Sequence, residues 1–274
     1  MGVPYAEVIG DPVAHSKSPL IHKFWLGKLG LQGDYRLVRL AAHELRSYFD
    51  GRRVDPDWRG CNVTIPHKQK IMPLLDDAHI YATDAVNCVV LEEGRLIGFN
   101  TDGDGVEAAV SQGIETGAPV CIIGAGGAAS ATIATLDILA VYQFNVVVRN
   151  PAQGRALVEP YGRYGRVYSF EEAQAAIEGC VGLINASPLG MSGFDSMPRT
   201  VLDALDRLSD EAFVLDMVYA PVRTELIRRA EQHGLRALDG LTMLIGQARE
   251  AFRHFFGADA PPEHDAELRE LLTR

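Results

Sequence analysis

The 274-residue sequence predicts an α/β protein built in two parts, a mixed sheet followed by a doubly wound parallel one. Three observations carry this. Short apolar runs alternate with stretches of helical period along most of the chain, which is the rhythm of parallel strands covered by helices. A single hairpin breaks that rhythm in the first half. Further on, a glycine-rich turn stands between a buried-strand pattern and a helix start.

Taken in order, strand-like runs occupy Tyr5–Ile9, Tyr35–Leu40 and Cys61–Ile65. Between the first two lies a helix over Pro19–Leu29, with Leu20, Ile21, Phe24, Trp25 and Leu29 on one stripe. Val86–Leu91, the turn Glu92-Glu93-Gly94 and Arg95–Phe99 read as a β-hairpin, placing antiparallel strands beside the first sheet. Turn residues from Gly98 to Gly103 then precede the helix-like Val106–Val110, and the first domain boundary is placed there. The second unit has strands at Val120–Ile123, Phe144–Val148, Val181–Ile184, Phe213–Val218 and Leu235–Leu238, with helices at Ala128–Leu139 and Thr224–His233. A last helix covers Leu241–Phe256, and periodicity alone does not say which unit it joins.

Length and composition bound the rest. At roughly 100–200 residues per domain the chain holds one large or two modest domains. Asp and Glu number 36 against 26 Lys and Arg, a net charge of -10, which argues against a nucleic-acid binder and against attraction to anionic lipid surfaces. The cysteines Cys61, Cys88, Cys121 and Cys180 are far apart, so buried free thiols are expected and neither a metal site nor a disulfide framework is indicated. The N-terminus carries no leader pattern and no apolar run spans a membrane, so a cytoplasmic location is expected. Only five residues are lysine, at positions 17, 23, 28, 68 and 70; composition accounts for all of them but Lys68.

Val120-Cys121-Ile122-Ile123 runs into Gly124-Ala125-Gly126-Gly127-Ala128-Ala129, the pattern G-x-G-x-x-A. The first glycine permits the tight turn, the second lets backbone approach a diphosphate, and a small third residue lets helix and strand pack closely. A strand precedes it and another follows at βαβ spacing, which favours a dinucleotide site over a bare turn. Where an NAD site places a carboxylate for the ribose 2′-hydroxyl, this chain has Arg149-Asn150 and then Arg155. A cation there suits the 2′-phosphate of NADP, so NADP is expected over NAD; the alternative is an ordinary solvated Arg149.

In the first unit polar residues gather at strand ends. These are Ser16-Lys17-Ser18-Pro19, the Asn62–Lys68 segment with Thr64, Val86-Asn87, and Asn100-Thr101-Asp102. Ligands of α/β sheets sit outside the carboxyl ends of strands, so these loops can converge on a polyhydroxylated small acid, with Lys68 and Asp102 for proton traffic. Other readings stay open at this level: Ser18 as a helix N-cap before Pro19, Thr101 or Asp102 as a cap, Asn62 and Thr64 as the solvent face of an edge strand, Lys68 as a solvated helix residue. His15, His22 and His67 are given no role.

In this order the segments resemble the shikimate dehydrogenase family across nearly the whole chain. Gly10 to Pro19 resembles its Ser-x-Ser-Pro segment, Asn62 to Lys68 its N-V-T-x-P-x-K, Ala85-Val86-Asn87 its A-V-N and Asn100–Gly103 its N-T-D-G. Asn185 to Met191, Asp216 to Pro221 and Gly240 to Leu244 with Gln247 resemble its N-A-T/S-x-x-G-M, D-x-x-Y-x-P and G-x-x-M-L-x-x-Q. The resemblance implies an N-terminal α/β substrate domain with a mixed sheet plus a Rossmann-type dinucleotide-binding domain, the two comprising residues 1–105 with 238–274, and 106–237, with the active site in the cleft between them. It implies reversible NADP-linked reduction of 3-dehydroshikimate to shikimate in aromatic amino-acid (chorismate) biosynthesis. Ser16 and Ser18, with Tyr219 nearby, would bind the substrate carboxylate. Thr64, Lys68, Asn87, Asp102 and Gln247 would hold the ring hydroxyls, Lys68 and Asp102 as the catalytic dyad. The cofactor would meet Gly124, Ala125, Gly126, Gly127, Ala128, Arg149, Asn150, Ala186, Ser187, Met191, Met217, Gly240 and Met243.

The chain departs from that pattern at Asp84, where glycine is common, at Cys88, where threonine is common, and at Val148-Arg149-Asn150 in place of Asn-Arg-Thr. Two other functions stand beside the first: a quinate/shikimate dehydrogenase using NAD or NADP, and a non-catalytic dinucleotide-binding sensor. The expected partners are small molecules, with no metal, nucleic acid or membrane; a homodimer is left open.

Overall fold

In the computed structural model, which describes residues 2–81, 83, 85–110 and 117–274, the order is β1 (Tyr5–Gly10), α1 (Ser18–Leu29), β2 (Asp34–Arg39), α2 (Leu45–Arg52), β3 (Trp58–Val63), β4 (Asp77–His79), β5 (Cys88–Glu92), β6 (Arg95–Phe99), α3 (Asp102–Val110), β7 (Val120–Ile123), α4 (Gly127–Ile138), β8 (Phe144–Val147), α5 (Pro151–Val158), β9 (Gly165–Tyr168), α6 (Ala173–Ile177), β10 (Gly182–Asn185), α7 (Arg199–Leu202), β11 (Phe213–Asp216), α8 (Glu225–Gln232), β12 (Arg236–Leu238), α9 (Gly240–Phe256) and α10 (Asp265–Thr273). Asp84 lies outside the described residues. Two compact units result, one of residues up to Asp102 with Ile245–Arg274, the other Gly103–Leu244. The second break falls inside α9.

The first unit holds a six-stranded sheet in the order β2-β1-β3-β5-β6-β4. β1 pairs parallel with β2 and β3, whereas β5 runs antiparallel to both β3 and β6. The hairpin turn at Glu93 (φ 50°) and Gly94 (φ 78°) has two left-handed residues in succession, the twist that joins adjacent antiparallel strands. β1 is buried along its length, so its two faces feed two cores: Tyr5 and Ile9 join Phe49, Trp58 and Val63, while Ala6 and Val8 join Tyr35, Ala251 and Phe255. Glu7 faces the first of these and is neutralised by a bidentate Arg52 (2.8 and 2.9 Å), Tyr48 Oη (2.6 Å) and Trp58 Nε1 (3.1 Å). A buried carboxylate persists only with such partners.

The stripe expected for α1 is rotated. Leu20 and Leu29 are exposed, and the buried face is Ser18, Ile21, His22, Trp25 and Leu26. The aromatic bed of Tyr35, Phe252, Phe255 and Phe256 around the His22 ring selects that face. Lys17 and Lys28 tie this helix region to the chain's end, through the Leu272 carbonyl (2.5 Å) and Glu267 (2.6 Å).

The second unit is a six-stranded, all-parallel sheet in the order β12-β11-β10-β7-β8-β9. The order reverses between β10 and β7, the switch point at which doubly wound sheets bind ligands. Cys121, Ile123, Leu183 and Val214 pack on one face, Val120, Ile122, Phe144 and Ile184 on the other, so these strands read as unbroken apolar runs. β4 and β9 are not foreshadowed in the sequence. Both are edge strands with mixed exposure, where no apolar run is required. All four cysteines are free and buried.

Candidate active site

The loops after β1 and β3, the approach to β5 and the start of α3 supply the polar groups of the first unit. After β3 the chain turns back on itself, with His67 N–H on the Thr64 carbonyl (3.0 Å) and the buried His67 Nε2 2.7 Å from the Leu40 carbonyl. The Lys68 carbonyl accepts from Val86 N–H (2.9 Å), which fixes this turn beside the approach to β5. From there the Lys68 ammonium forms an ion pair with Asp102 Oδ2. The Lys68 side chain keeps 22% exposure and that of Asp102 only 6%, so the lysine is the member that an incoming molecule can touch.

Asp102 opens α3 without capping it. Asn100 Oδ1 accepts the Asp102 N–H (3.0 Å), while Asn100 Nδ2 donates to the Ala85 carbonyl (2.7 Å). The carboxylate is thereby left for Lys68 on one oxygen and Asn87 Nδ2 on the other, at 2.7 Å. The orientation of the Asn87 amide follows from its neighbours: Thr101 N–H can only donate, and it donates to Asn87 Oδ1 at 2.7 Å, so Nδ2 faces Asp102. Thr101 Oγ1 also lies 3.4 Å from Gln247 Oε1 on α9. Lys68, Asn87, Asp102 and Gln247 therefore meet in one network, with Asn87 at its centre and Thr101 joining it to Gln247.

Ser18 is the first residue of α1, and no side chain caps that helix, so the cap reading does not hold. Its hydroxyl accepts from Ser16 Oγ at 3.2 Å, and its N–H donates to that same Ser16 oxygen at 3.3 Å. The edge-strand reading of Asn62 fails as well. β3 lies between β1 and β5, and Asn62 is buried, bonded to Tyr35 and to the Asn87 carbonyl. Thr64 anchors its N–H on the Ile9 carbonyl (2.9 Å), and its methyl covers Gly10, where a Cβ would lie 2.4 Å from it. Asn62 and Thr101 stand within the motifs but are given no site role by them, and Tyr35 lies outside every motif. A polar residue inside the apolar run of β3 was the available signal for Asn62, since a buried amide requires partners.

In the second unit Gly124 adopts φ 113°, and a Cβ there would sit 3.1 Å from the Ala186 carbonyl oxygen and from Ser187 Cβ. Gly126 precedes α4 with φ -92°, and a Cβ there would meet no protein atom within 4 Å. The turn at Ala186 and Ser187 is held by Asn185, whose Oδ1 accepts from Ser187 N–H (3.1 Å) and Oγ (2.6 Å) and whose Nδ2 donates to Asp216 (2.9 Å). Asp216 also receives Thr224 Oγ1 (2.6 Å) and Val218 N–H (3.0 Å); its burial nonetheless raises the carboxyl above its ordinary value. Gly240 packs against the carbonyls of Met217 and Val218, where a Cβ would lie 2.6 Å from each oxygen, so only glycine fits. Burial raises the Tyr219 hydroxyl, and Met243 is buried. At the end of β8 Arg149 is exposed and meets Asp195 at 3.2 Å, while Asn150 caps α5 through Ala152 N–H at 3.0 Å.

Residues 8–89 match the model of the shikimate dehydrogenase substrate binding domain, and residues 240–267 that of the shikimate 5′-dehydrogenase C-terminal domain. Shikimate dehydrogenase (NADP(+)) of Sphingopyxis alaskensis is 47% identical over 273 residues, covering 98% of this chain and 97% of that protein. The chain belongs to the shikimate dehydrogenase family. Membership places it among NADP-linked oxidoreductases acting on a CH–OH group in the shikimate pathway. Among solved structures, shikimate 5-dehydrogenase of Thermus thermophilus in complex with NADP(H) and shikimate is 32% identical, with TM-score 0.82 and coverage of 98% and 99%. Quinate dehydrogenase of Corynebacterium glutamicum in complex with NAD is 26% identical, with TM-score 0.84 and coverage of 98% and 99%.

The residues present fit a bound dinucleotide. The open space over Gly126 at the N-terminus of α4 is what a Cβ would fill, and Arg149 supplies a cation at the end of β8.

Proposed function

We propose that this chain catalyses the reversible NADPH-dependent reduction of 3-dehydroshikimate to shikimate in the cytoplasm, with Lys68 and Asp102 as its proton-handling pair. The observation that carries the residue assignment is the Lys68–Asp102 ion pair, oriented by Asn87 and reachable through Lys68. NADPH, when bound, supplies the hydride. Reduction of the ketone leaves an alkoxide that must gain a proton as it forms. Lys68 Nζ has three donors, of which Asp102 engages one, so the remainder can stabilise the developing charge and deliver the proton. Asp102, occupied on both oxygens, holds the ammonium in place.

The same reading gives the serine pair Ser16 and Ser18, with Tyr219, to the substrate carboxylate, and Thr64, Asn87 and Gln247 to the ring hydroxyls. Gly124, Ala125, Gly126, Gly127 and Ala128 would receive the diphosphate, and Arg149 with Asn150 the 2′-phosphate. Ala186, Ser187, Met191, Met217, Gly240 and Met243 would border the rest of the cofactor. The first unit is thus the substrate domain and the second the nucleotide domain. An intact Lys68–Asp102 pair argues against a non-catalytic sensor.

The test is reduction of 3-dehydroshikimate by the purified protein with NADPH and with NADH, and oxidation of shikimate against quinate. Turnover favouring NADPH and shikimate is expected. Preference for quinate, or binding of NADPH without turnover of either acid, overturns the assignment.

A further inference from the structure

Tyr35, on β2, is fully buried, with its ring stacked on His22 at 4.1 Å and 5°. Its hydroxyl donates to Asn62 Oδ1 at 2.6 Å, and Asn62 Nδ2 in turn donates to the Asn87 carbonyl at 3.2 Å. Asn87 is the residue whose amide holds Asp102 Oδ1.

We infer that Tyr35 is a positioning residue for the reaction, its buried hydroxyl fixing the Asn62–Asn87–Asp102 arm that takes the reacting end. This rests on the function proposed above. A phenol has one proton, and here it goes to Asn62. The Asn62 amide is then fixed at both ends, oxygen to the phenol and nitrogen to the Asn87 carbonyl. Burial raises the Tyr35 hydroxyl well above its ordinary value, so it remains a donor throughout the pH range of activity. His22, held neutral by burial and with neither ring nitrogen partnered, contributes a flat face and no charge. A chain of neutral, fully engaged groups transmits position rather than protons.

Tyr35→Phe removes the hydroxyl and keeps the ring and its stack. Steady-state kinetics of the wild type, Tyr35→Phe, Asn62→Ser and the double variant test the link. Expected for Tyr35→Phe is a fall of about tenfold in kcat, the worth of about one hydrogen bond, with an unchanged KM for NADP+. In the Asn62→Ser background the same change should lower kcat no further. Wild-type constants in Tyr35→Phe, or an equal kcat penalty in both backgrounds, overturn the inference. Should Tyr35→Phe not fold, Asn62→Ser breaks the link from the other end; a lowered kcat with unchanged KM for NADP+ supports it, and wild-type kcat overturns it. If the wild type fails to oxidise shikimate, the proposed function and this inference fall together; if only the variants are unaffected, this inference alone falls.

Discussion

Asn87 Nδ2 lies 2.7 Å from Asp102 Oδ1, opposite the oxygen held by Lys68, so the carboxylate is gripped from both sides by groups on different strand ends. That grip leaves Lys68 as the reachable member of the pair and indicates where function should be most sensitive.

Lys68→Ala should lower kcat by about 10²–10⁴, the usual contribution of a positioned proton donor, while KM for shikimate changes only a few-fold. Asp102→Asn should behave similarly, because the ammonium loses its orienting charge. Steady-state rates in both directions check this, and near-normal turnover in Lys68→Ala would sink the assignment.

The two glycines of the nucleotide turn should separate folding from binding. Gly124→Ala forces a side chain into φ 113° and against the Ala186 carbonyl, at a cost of about 1–3 kcal/mol in stability, and weakens NADPH binding as well. Gly126→Ala meets no protein atom, so its thermal midpoint should match the wild type while NADPH affinity falls. Calorimetric titration together with thermal unfolding distinguishes the two. Normal NADPH affinity in Gly126→Ala would mean that the turn does not cradle the diphosphate.

Arg149→Ala should raise KM for NADPH about 10–100-fold, as expected for a lost charge-assisted contact, and leave KM for NADH nearly unchanged. Asp195 competes for the same guanidinium in an exposed pair, so Asp195→Asn should strengthen NADPH binding slightly, about two- to threefold. Equal effects of Arg149→Ala on both cofactors would remove Arg149 from the 2′-phosphate site.

Stability should fall as pH drops below 6.5. Burial lowers the His22 pKa from 6.5 to about 3, so over that window the unfolded chain binds a proton that the folded chain refuses. The slope from this one group approaches about 1.4 kcal/mol per pH unit, which gives a loss of about 2 kcal/mol by pH 5. His22→Phe should flatten the decline between pH 7.5 and 5 by that amount in denaturant titrations. Asp216, raised by its own burial, acts in the opposite sense, and it cancels from the comparison because both proteins retain it. Parallel pH profiles for the two proteins would refute the role of His22.

Much of this architecture was legible in the chain. The expected strand Val120–Ile123 is β7 to the residue, and the expected hairpin forms with a shorter turn, Glu93-Gly94, since Glu92 pairs with Arg95 as the last residue of β5; continuous burial and left-handed turn residues leave local marks. The pairing of Lys68 with Asp102 was also within reach, since both stand in loops at strand ends of one sheet. The face of α1 was not. Its sequence offers Leu20 and Leu29 as readily as His22, and only the aromatic bed beneath decides that a histidine is buried and two leucines exposed. The same holds for Tyr35 and Asn62: each is an ordinary strand residue until β1, β2, β3 and β5 lie side by side. Period and turn chemistry, which are properties of neighbours along the chain, determined the strands, the glycine-rich turn and the family. Tertiary structure decided which polar side chains share hydrogen bonds, because those partners stand tens of residues apart and their burial is tolerable only when each finds the other.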